Sequence, residues 1–487
     1  MIHPPYVHDD YLADDAPFVR DRLPFLPIGP LFASEMLERQ GRGEPELFDC
    51  QLHDLREVST LDAYDSFGIN VMGAQNLAPA SAVHRFLSQR VDPARVHLGG
   101  QGVEQLTPEE FSTVFPGSHQ TPRQALAGLP GALDVGIARQ VDKLSDDDLL
   151  LYLTHETTLP FSQGCLFGCS FCGAQIRRRE EFFDTVSHLE MLCRAAQRLG
   201  VNSLNLYCTS LDFFQQALPG GRLAELTSRL EAIIAVKEQY GIDLQLHALT
   251  RADSYNAAMA SAEVRDLVLT AGFNRFGFGA DGAASADIVQ AMRKHAPSLR
   301  SDLVTAFANA QEHGLVQEIL YVFGIPEDTS ETLAATRELC GLLLDEFDTS
   351  EYRGFPAKNE IPGNANWKRH EWRQSHRRHR LLDDPALFLN LGFETMANEI
   401  SHPDPQIRRE VNRYAIDMSL HAHELDRVRS YLTIPVVTDG EPLVDDETAD
   451  KLRVITARYA PDLAPELTPG NLADHRRVFN SAVPKDS

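Results

Sequence analysis

The chain has 487 residues, 43% of them hydrophobic, so it can bury the cores of about three domains of ordinary size. Acidic residues outnumber basic ones by 70 to 45, a formal net charge of −25, which argues against holding a nucleic-acid backbone by general electrostatics. No apolar stretch reaches the length of a membrane span, and the N-terminus has no signal-peptide pattern. We therefore expect a cytoplasmic protein whose partners are small neutral or cationic molecules, with no nucleic-acid or membrane partner.

The N-terminal third carries a weak alternation of strand and helix patterns. His3 and the two prolines after it mark the end of a first strand that the chain nearly lacks. A glycine turn runs from Gly99 to Gly102, and Thr107 precedes a helix whose first residue is a proline, the position at which proline is favoured. The remaining predicted elements are a helix over 31–40 and strands over 47–51, 68–72 and 95–98. We expect this domain to span residues 1–125, followed by a linker over 126–155.

Three of the seven cysteines fall within eight residues, in the order Cys165, Cys169 and Cys172. An odd, otherwise dispersed set does not make a disulfide framework. A structural zinc site would need four ligands, and no second cysteine pair lies nearby. Three thiolates in one tight loop suit a four-iron, four-sulfur cluster with one iron left open. Gly164 and Gly168 would let the backbone wrap closely around such a cluster.

This C-x3-C-x2-C spacing, with the aromatic Phe171 just before the last cysteine, resembles the signature of the radical S-adenosylmethionine superfamily. The resemblance implies that the three cysteines ligate a 4Fe-4S cluster and that the open iron chelates S-adenosylmethionine. It also implies reductive cleavage of that cofactor and hydrogen abstraction from a substrate by the 5′-deoxyadenosyl radical. The simpler alternative is three buried cysteines that happen to be close in sequence.

Helix and strand patterns alternate after the cysteines. Helices are predicted to end at Gly200, Gly241, Gly272 and Gly314, and Asp328 with Glu331 has the spacing of a capping box. Strands are predicted over 202–207, 242–248, 273–279 and 316–323. Repeated βα units predict a parallel sheet, and about six units fit between residues 156 and 360. We therefore expect an α/β protein with a central partial (β/α)6 barrel.

Three strand ends carry candidate cofactor-binding residues, since sites on such sheets lie at the carboxyl ends of the strands. Arg251, Asp281 and Ile325 resemble the arginine, the acidic ribose-binding position and the residue beside adenine in radical S-adenosylmethionine barrels. Asp281 stands where glutamate is common. A surface salt bridge for Arg251, a turn role for Asp281 and core packing for Ile325 are the alternatives.

After the second strand, Tyr207 and Asp212 are candidate catalytic residues, and the Asp212-Phe213 pair resembles the cobalamin-linked branch of the superfamily. The N-terminal turns resemble the Rossmann-like cobalamin-binding domain of that branch. Against a working site, the first strand is nearly absent, no axial-histidine run is present, and Phe115–Gln120 replaces the usual closing strand and turn. Cobalamin binding is thus left open, with a degenerate scaffold domain as the alternative.

Residues 361–487 are expected to form a charge-dense helical domain, with a helix over 406–431. The segment Lys368–Arg380 is interpreted as a solvated basic helix, with a substrate-facing role for Trp367 or Trp372 as the alternative.

These features predict a radical S-adenosylmethionine enzyme acting on a small natural-product intermediate, such as an amino sugar in antibiotic biosynthesis. An electron donor of the flavodoxin or ferredoxin type is expected as a partner. Dehydration of a polyhydroxylated substrate, a lyase reaction, is favoured over cobalamin-dependent C-methylation, which remains the alternative. A non-catalytic iron–sulfur electron carrier is a remote third possibility, because such carriers complete their cluster with a fourth cysteine.

Overall fold

The computed structural model is a mixed α/β structure with parallel sheets and many helices, as the sequence pattern predicts. None of the helices in the part of the chain that the structure describes has the length and apolar character needed to cross a membrane. The residues described are 1–5, 24–73, 76–104, 106–121, 136–172, 180–294, 299–356, 402, 404–427 and short pieces of 432–454 and 478–480.

The N-terminal residues form a five-stranded parallel sheet in the order β2-β1-β3-β4-β5. Its strands carry buried apolar side chains that make a separate core with the helices around them. The elements are β1 (Ile2–His3), α1 (Ile28–Arg39), β2 (Phe48–Asp49), β3 (Phe67–Asn70), α2 (Leu77–Ser88), β4 (Val96–Gly99), α3 (Gln101–Glu104), α4 (Pro108–Val114) and β5 (His119–Gln120).

Two short strands decide the extent of this sheet: the first ends at His3 as the sequence predicts, and the last corrects the prediction. Strand β1 is only two residues long, yet it lies between β2 and β3, and Ile2 pairs with both of them. Strand β5 occupies the end of Phe115–Gln120, where no strand was expected, and His119 pairs with His97 of β4. The parallel sheet is therefore present from its first strand to its last.

The central sheet has six parallel strands in the order β13-β12-β11-β10-β9-β6. The strands β6 and β13 at its two edges were not located from the sequence. Two junction helices precede this sheet, α5 (Ala138–Val141) and α6 (Asp146–Leu153).

The elements that follow the junction helices are, in chain order, β6 (Thr157–Pro160), the hairpin strands β7 (Ser162–Gln163) and β8 (Glu181–Phe182), α7 (Thr185–Leu199), β9 (Ser203–Thr209), α8 (Leu223–Tyr240), β10 (Asp243–Thr250), α9 (Ala252–Met259), α10 (Ala262–Ala271), β11 (Phe273–Gly279), α11 (Ala286–Ala291), α12 (Leu299–Glu312), β12 (Val316–Phe323), α13 (Ser330–Glu346) and β13 (Ser350–Pro356).

The two faces of the central sheet differ in polarity, because side chains alternate between the faces of a strand. On one face Leu206, Leu246 and Phe276 are fully buried in the main core. The opposite face carries Tyr207, His247 and Arg275, and adjacent strands place these three side by side. The polar face is the one on which the charged residues described below meet.

The capping box lies one residue later in the chain than the sequence predicts, at Thr329 and Thr332 instead of Asp328 and Glu331. Helix α13 begins after Thr329, whose hydroxyl accepts from the Thr332 backbone while Thr332 bonds back to the Thr329 N–H. Asp328 instead accepts hydrogen bonds from the backbone N–H groups of Gly324 and Ile325. The prediction was wrong because Asp and Thr are both good N-caps, and sequence alone does not choose between neighbours.

The C-terminal region is not purely helical, which corrects the expected domain. The helix α14 (Pro405–Glu424) ends seven residues before the predicted 431. Lys368–Arg380, Trp367 and Trp372 lie outside the described residues. Beyond α14 lie two antiparallel pairs, formed by β14 (Leu432–Ile434), β15 (Val437–Thr438), β16 (Glu441–Pro442) and β17 (Val478–Asn480).

Polar contacts join the N-terminal sheet to the junction helices. The Tyr152 hydroxyl of α6 donates to the Asp49 carboxylate at the end of β2. Glu35 of α1 accepts from Gln140 of α5 at 3.1 Å. Leu149 and Leu153 of α6 are buried in the core of the central sheet. The division of the chain into domains at 125, 155 and 360 stays a prediction.

Two helix-ending glycines allow a matched stability test. Gly200 and Gly272 both take a left-handed conformation, with φ of 74° and 105°. A Cβ on Gly272 would lie 2.1 Å from the Leu244 carbonyl oxygen, whereas one on Gly200 would meet nothing within 4 Å. We expect Gly200→Ala to cost about 1 kcal/mol and Gly272→Ala about 3 kcal/mol or more in free energy of unfolding, measured by urea denaturation. Equal costs would contradict the close strand–helix contact at Gly272.

Candidate active site

The three clustered cysteines lie on one loop that follows the first strand of the central sheet. Cys165, Cys169 and Cys172 are partly exposed, and none of the three forms a disulfide. The other cysteines of the chain, Cys50, Cys193, Cys208 and Cys340, are all buried. The structure therefore presents to solvent the three thiols that the sequence singles out. We call residues 163–172 the cysteine loop.

The start of the cysteine loop is held by Gln215, which is fully buried. Its side-chain oxygen accepts from the Leu166 N–H at 3.2 Å, and its side-chain nitrogen donates to the Gly164 carbonyl at 3.4 Å. These two backbone groups lie on either side of Cys165. One buried amide thus fixes the backbone around the first thiol.

The end of the cysteine loop is held by the end of α11. The Ser170 N–H donates to the Met292 carbonyl at 2.8 Å, and its hydroxyl donates to the Ala291 carbonyl at 3.3 Å. Phe171 packs against a small apolar cluster of Ile288, Met292 and Ile325. Two of the predicted cofactor-binding residues, Phe171 and Ile325, therefore share one cluster.

Arg251 lies at the end of β10 and reaches the middle of the cysteine loop. Its guanidinium stacks over the Phe167 ring, with 3.7 Å between the guanidinium carbon and the ring centre. It bonds the Asp253 carboxylate at 2.9 and 2.8 Å and donates to the Lys294 carbonyl at 2.8 Å. The side chain is only 8% exposed, so the surface salt-bridge interpretation does not describe it.

Asp281, the predicted ribose-binding residue, is engaged on both of its oxygens. Oδ1 accepts from the Val322 N–H at 2.6 Å, and Oδ2 lies 3.0 Å from the Lys294 ammonium. The carboxylate therefore joins the end of β11 to β12 and to the segment after α11. Each oxygen retains a second lone-pair direction for a further donor.

Ile325 follows β12 and is buried, 1% exposed. Its N–H and that of Gly324 both donate to the Asp328 carboxylate, at 2.9 and 2.7 Å. A Cβ on Gly324, whose φ is 84°, would lie 2.5 Å from a methyl carbon of Val411. Helix α14 therefore packs directly on this turn, and only glycine fits there.

The two candidate catalytic residues occupy different environments. Asp212 is fully buried, and its Oδ1 accepts from Thr250, Ser254 and the Arg251 N–H at 3.0, 2.6 and 3.2 Å. Burial raises the pKa of Asp212, and its hydrogen bonds act in the opposite direction. Tyr207 is partly exposed, and its ring centre lies 5.2 Å from that of His247. These contacts favour an anchoring role for Asp212 and leave Tyr207 on the accessible polar face.

A chain of alternating acidic and basic side chains crosses the polar face of the central sheet. His247 lies 3.4 Å from Glu156 and 3.3 Å from Glu318. Arg275 lies 3.7 Å from Glu318 and 2.6 Å from Glu351. Burial alone would lower the pKa of His247, but Glu318 and Glu156 outweigh it and raise that pKa to about 9. The imidazole is therefore a cation at neutral pH.

Charged residues act on the cysteine thiols from several directions. Burial raises the pKa of Cys165 to about 12, and Asp212, Cys169 and Cys172 act in the same direction. Burial also raises the pKa of Cys169, while Lys294 and Arg251 act to lower it. Within the described residues, no three Cys, His or carboxylate side chains are arranged to hold a metal ion as they stand. The donor set nevertheless fits an iron–sulfur cluster, because three thiols share one anchored loop beside two buried cations.

Neither protein-family models nor curated protein sequences match this chain. Solved structures do match it in fold. One is the radical S-adenosylmethionine methyltransferase TsrM from Kitasatospora setae with cobalamin and a 4Fe-4S cluster bound, at TM-score 0.51 and 17% identity, covering 72% of this chain and 74% of that one. The same enzyme with tryptophan substrate and an S-adenosylmethionine analogue bound matches at TM-score 0.53 and 15% identity, covering 75% and 74%.

A second match is the cobalamin-dependent S-adenosylmethionine radical enzyme OxsB in its apo form, at TM-score 0.51 and 13% identity. It covers 92% of this chain and 68% of that one. The chain therefore has the fold of cobalamin-dependent radical S-adenosylmethionine enzymes. The resemblance seen in the cysteine spacing is confirmed at the level of fold.

Sequence reasoning missed three residues that organise this site. Gln215 follows the Asp212-Phe213 pair by two residues and carries no motif of its own. Met292 acts through its backbone carbonyl, which no sequence pattern reports. Lys294 was missed because its contacts span 13 to 43 residues of sequence.

The charge chain around His247 predicts a pH-dependent stability. Because the folded-state pKa of about 9 lies above the ordinary 6.5, the stabilisation is complete below pH 6.5 and is lost as the pH rises through 9. We expect the stability difference between the wild type and His247→Gln to fall by about 2–3 kcal/mol between pH 6.5 and 10, measured by urea unfolding. Taking the difference cancels other titrating groups, and a flat difference would show that the carboxylates do not hold a proton on His247.

Proposed function

We propose that the chain is a radical S-adenosylmethionine enzyme whose cluster ligands are Cys165, Cys169 and Cys172. One observation carries the proposal: the cysteine loop is bonded to the same structures that carry the predicted cofactor residues. Arg251 stacks on Phe167 of the loop, and Phe171 of the loop packs with Ile325. Asp281 joins this group through Lys294. The sequence places these residues far apart, and the fold brings them to one edge of the sheet.

The chemistry proposed for a bound 4Fe-4S cluster with one open iron is electron transfer to S-adenosylmethionine, which releases a 5′-deoxyadenosyl radical. The chain's part is to bind and orient. Gln215 and Met292 fix the backbone of the cysteine loop. Asp281 would offer a hydrogen-bond acceptor to a ribose hydroxyl, and Ile325 an apolar surface to an adenine ring.

For the reaction that follows, methyl transfer is the better-supported choice, which reverses the preference drawn from sequence. The structures of matching fold named above include a methyltransferase with cobalamin bound. In the N-terminal sheet the short end of the first strand pairs with β3, and the closing strand that the sequence was thought to lack pairs with β4. We therefore propose a cobalamin-dependent C-methyltransferase, with dehydration as the second candidate.

The carboxyl edge of the N-terminal sheet is the part of the chain that would hold cobalamin. At this edge His3 is buried with its Nε2 lacking any hydrogen-bond partner in the described structure, while its Nδ1 lies 3.3 Å from Asn70. The unsatisfied atom at this edge supports the choice of this edge. The glycine at position 100 does not indicate a ligand, because packing against the backbone already requires it: a Cβ there would lie 2.4 Å from the Val71 carbonyl oxygen. Bound cobalamin would supply the methyl group.

The substrate proposed is a small natural-product intermediate, and the electron donor a protein of the flavodoxin or ferredoxin type. The polar face around Tyr207 is partly exposed and acidic, with Glu156, Glu318 and Glu351 against His247 and Arg275. A substrate with an amine or several hydroxyl groups suits this face better than a carboxylate does. Tyr207 is the residue placed to contact it.

The first test concerns the cluster. We expect the anaerobically reconstituted wild type to bind about four irons per chain and, with dithionite, to convert S-adenosylmethionine to 5′-deoxyadenosine. Replacing Cys165, Cys169 and Cys172 together by alanine should abolish both. The matched control replaces three buried cysteines outside the loop, Cys50, Cys193 and Cys340, and should keep the iron. Iron retained by the first variant would mean that the ligands are elsewhere.

The second test separates methylation from dehydration. The protein is prepared with and without cobalamin and offered amino sugars, polyhydroxylated intermediates and tryptophan, with mass spectrometry of the products. We expect a product heavier by one CH2, together with S-adenosylhomocysteine and 5′-deoxyadenosine, only from the cobalt-containing preparation. A product lighter by one water, made without cobalamin and without S-adenosylhomocysteine, would restore the dehydratase assignment.

A further inference from the structure

The segment from Met292 to Lys294 contacts the cysteine loop, Arg251 and Asp281, and we call it the 292–294 hook. Its first residue accepts the Ser170 N–H of the cysteine loop through its carbonyl. Its last residue accepts the Arg251 guanidinium through its carbonyl at 2.8 Å. The Lys294 side chain then reaches back to the end of β11. Three residues thus join the cysteine loop, β10 and β11.

The Lys294 ammonium is buried, with the side chain 4% exposed, and all of its bonds go to one turn. It donates to the Gly279 carbonyl at 2.5 Å, to the Asp281 carbonyl at 3.2 Å and to the Asp281 carboxylate at 3.0 Å. A lysine has three donors, so these contacts use its hydrogen-bonding capacity completely. The cation is therefore fixed in place.

The backbone of the hook is strained, which indicates that its shape is imposed by its contacts. Arg293 has a φ of 53°, in the left-handed region that residues other than glycine seldom occupy. Such a conformation persists where the surroundings determine it, and it is concentrated at functional sites. The strain lies between the carbonyl that holds the cysteine loop and the lysine that holds Asp281.

The hook also places charge beside the cysteine loop. Lys294 follows Met292 by two residues, and the Met292 carbonyl accepts the N–H of Ser170, the residue next to Cys169. The Lys294 carbonyl accepts from Arg251, whose guanidinium stacks on Phe167, two residues before Cys169. Each cation is paired with a carboxylate, Arg251 with Asp253 at 2.8 Å and Lys294 with Asp281 at 3.0 Å. A three-thiolate cluster is anionic and becomes more so when it gains an electron, so a fixed buried cation nearby stabilises the reduced form.

We propose that Lys294 is a positioning residue with two roles, clamping the Gly279–Asp281 turn to the cysteine loop and setting the reduction potential of the cluster held there. The inference rests on the proposed function, because it needs a cluster on Cys165, Cys169 and Cys172. It assigns to one lysine the link between the electron-accepting centre and the turn that carries the predicted ribose contact.

The test measures the midpoint potential of the reconstituted cluster by redox titration followed by electron paramagnetic resonance. Lys294→Met removes the charge and keeps the length, and we expect a more negative potential with the iron content unchanged. Lys294→Arg keeps the charge and should stay near the wild type. Asp281→Asn removes the opposing charge, and the potential should become more positive. Lys237→Met is the control, because Lys237 also donates to a backbone carbonyl, that of Thr270 in α10, and among the described residues is not bonded to the cysteine loop or its anchors.

The opposite signs separate a charge effect from simple damage, since loosening of the structure would not raise the potential of one variant and lower that of the other. Unchanged potentials in both Lys294→Met and Asp281→Asn would overturn the proposal. If Lys294→Met fails to fold, Asp281→Asn alone decides, and the absence of a positive shift overturns it. A wild type that binds no cluster would instead overturn the proposed function, so the two failures are distinguishable.

Discussion

The arrangement of the site depends on the hydrogen bond and the ion pair that the Asp281 carboxylate makes. It accepts the Val322 N–H with one oxygen and faces the Lys294 ammonium with the other, both inside the protein. Bringing such a pair out of water is costly, and the cost is offset only when further hydrogen bonds satisfy the remaining donors. Two backbone carbonyls do this for Lys294. Removing either Asp281 or Lys294 would leave the other as a buried unpaired charge, which would lower the free energy of unfolding by about 3–5 kcal/mol.

The distribution of charge bears on whether so acidic a chain could hold the proposed anionic cluster. The net charge of −25 would by itself oppose a further anionic centre. Beside the cysteine loop, however, the buried cations Arg251 and Lys294 offset the carboxylates of Asp253 and Asp281. Screening by solvent is weak at buried sites, so the near charges outweigh the distant ones.

The features that the sequence predicts are those encoded by neighbours along the chain. The cysteine spacing, the strands over 273–279 and 316–323 and the helix after Thr107 all follow from local pattern, and the structure has them. The end of β1 at His3 was located by the two prolines that follow it, whereas β5 was missed because two residues are too few for alternation to show. Lys294 and Gln215 were missed because their partners lie at the far ends of other elements. The sequence located Asp281 by its position after a strand, but it did not identify Lys294 as the partner of Asp281.

The cysteine loop is anchored by residues that follow several different strands of the central sheet. Gln215 sits in the turn that also carries Asp212, and Asp212 is bonded to the end of β10 just before Arg251. Arg251 in turn holds Phe167 and the hook. Gln215 therefore fixes the start of the loop and Arg251 its middle. Helix α14 packs on Gly324, next to Ile325, and adds a contact from the C-terminal side. The position of the three thiols thus depends on residues that follow β9, β10, β11 and β12 as well as on the loop itself.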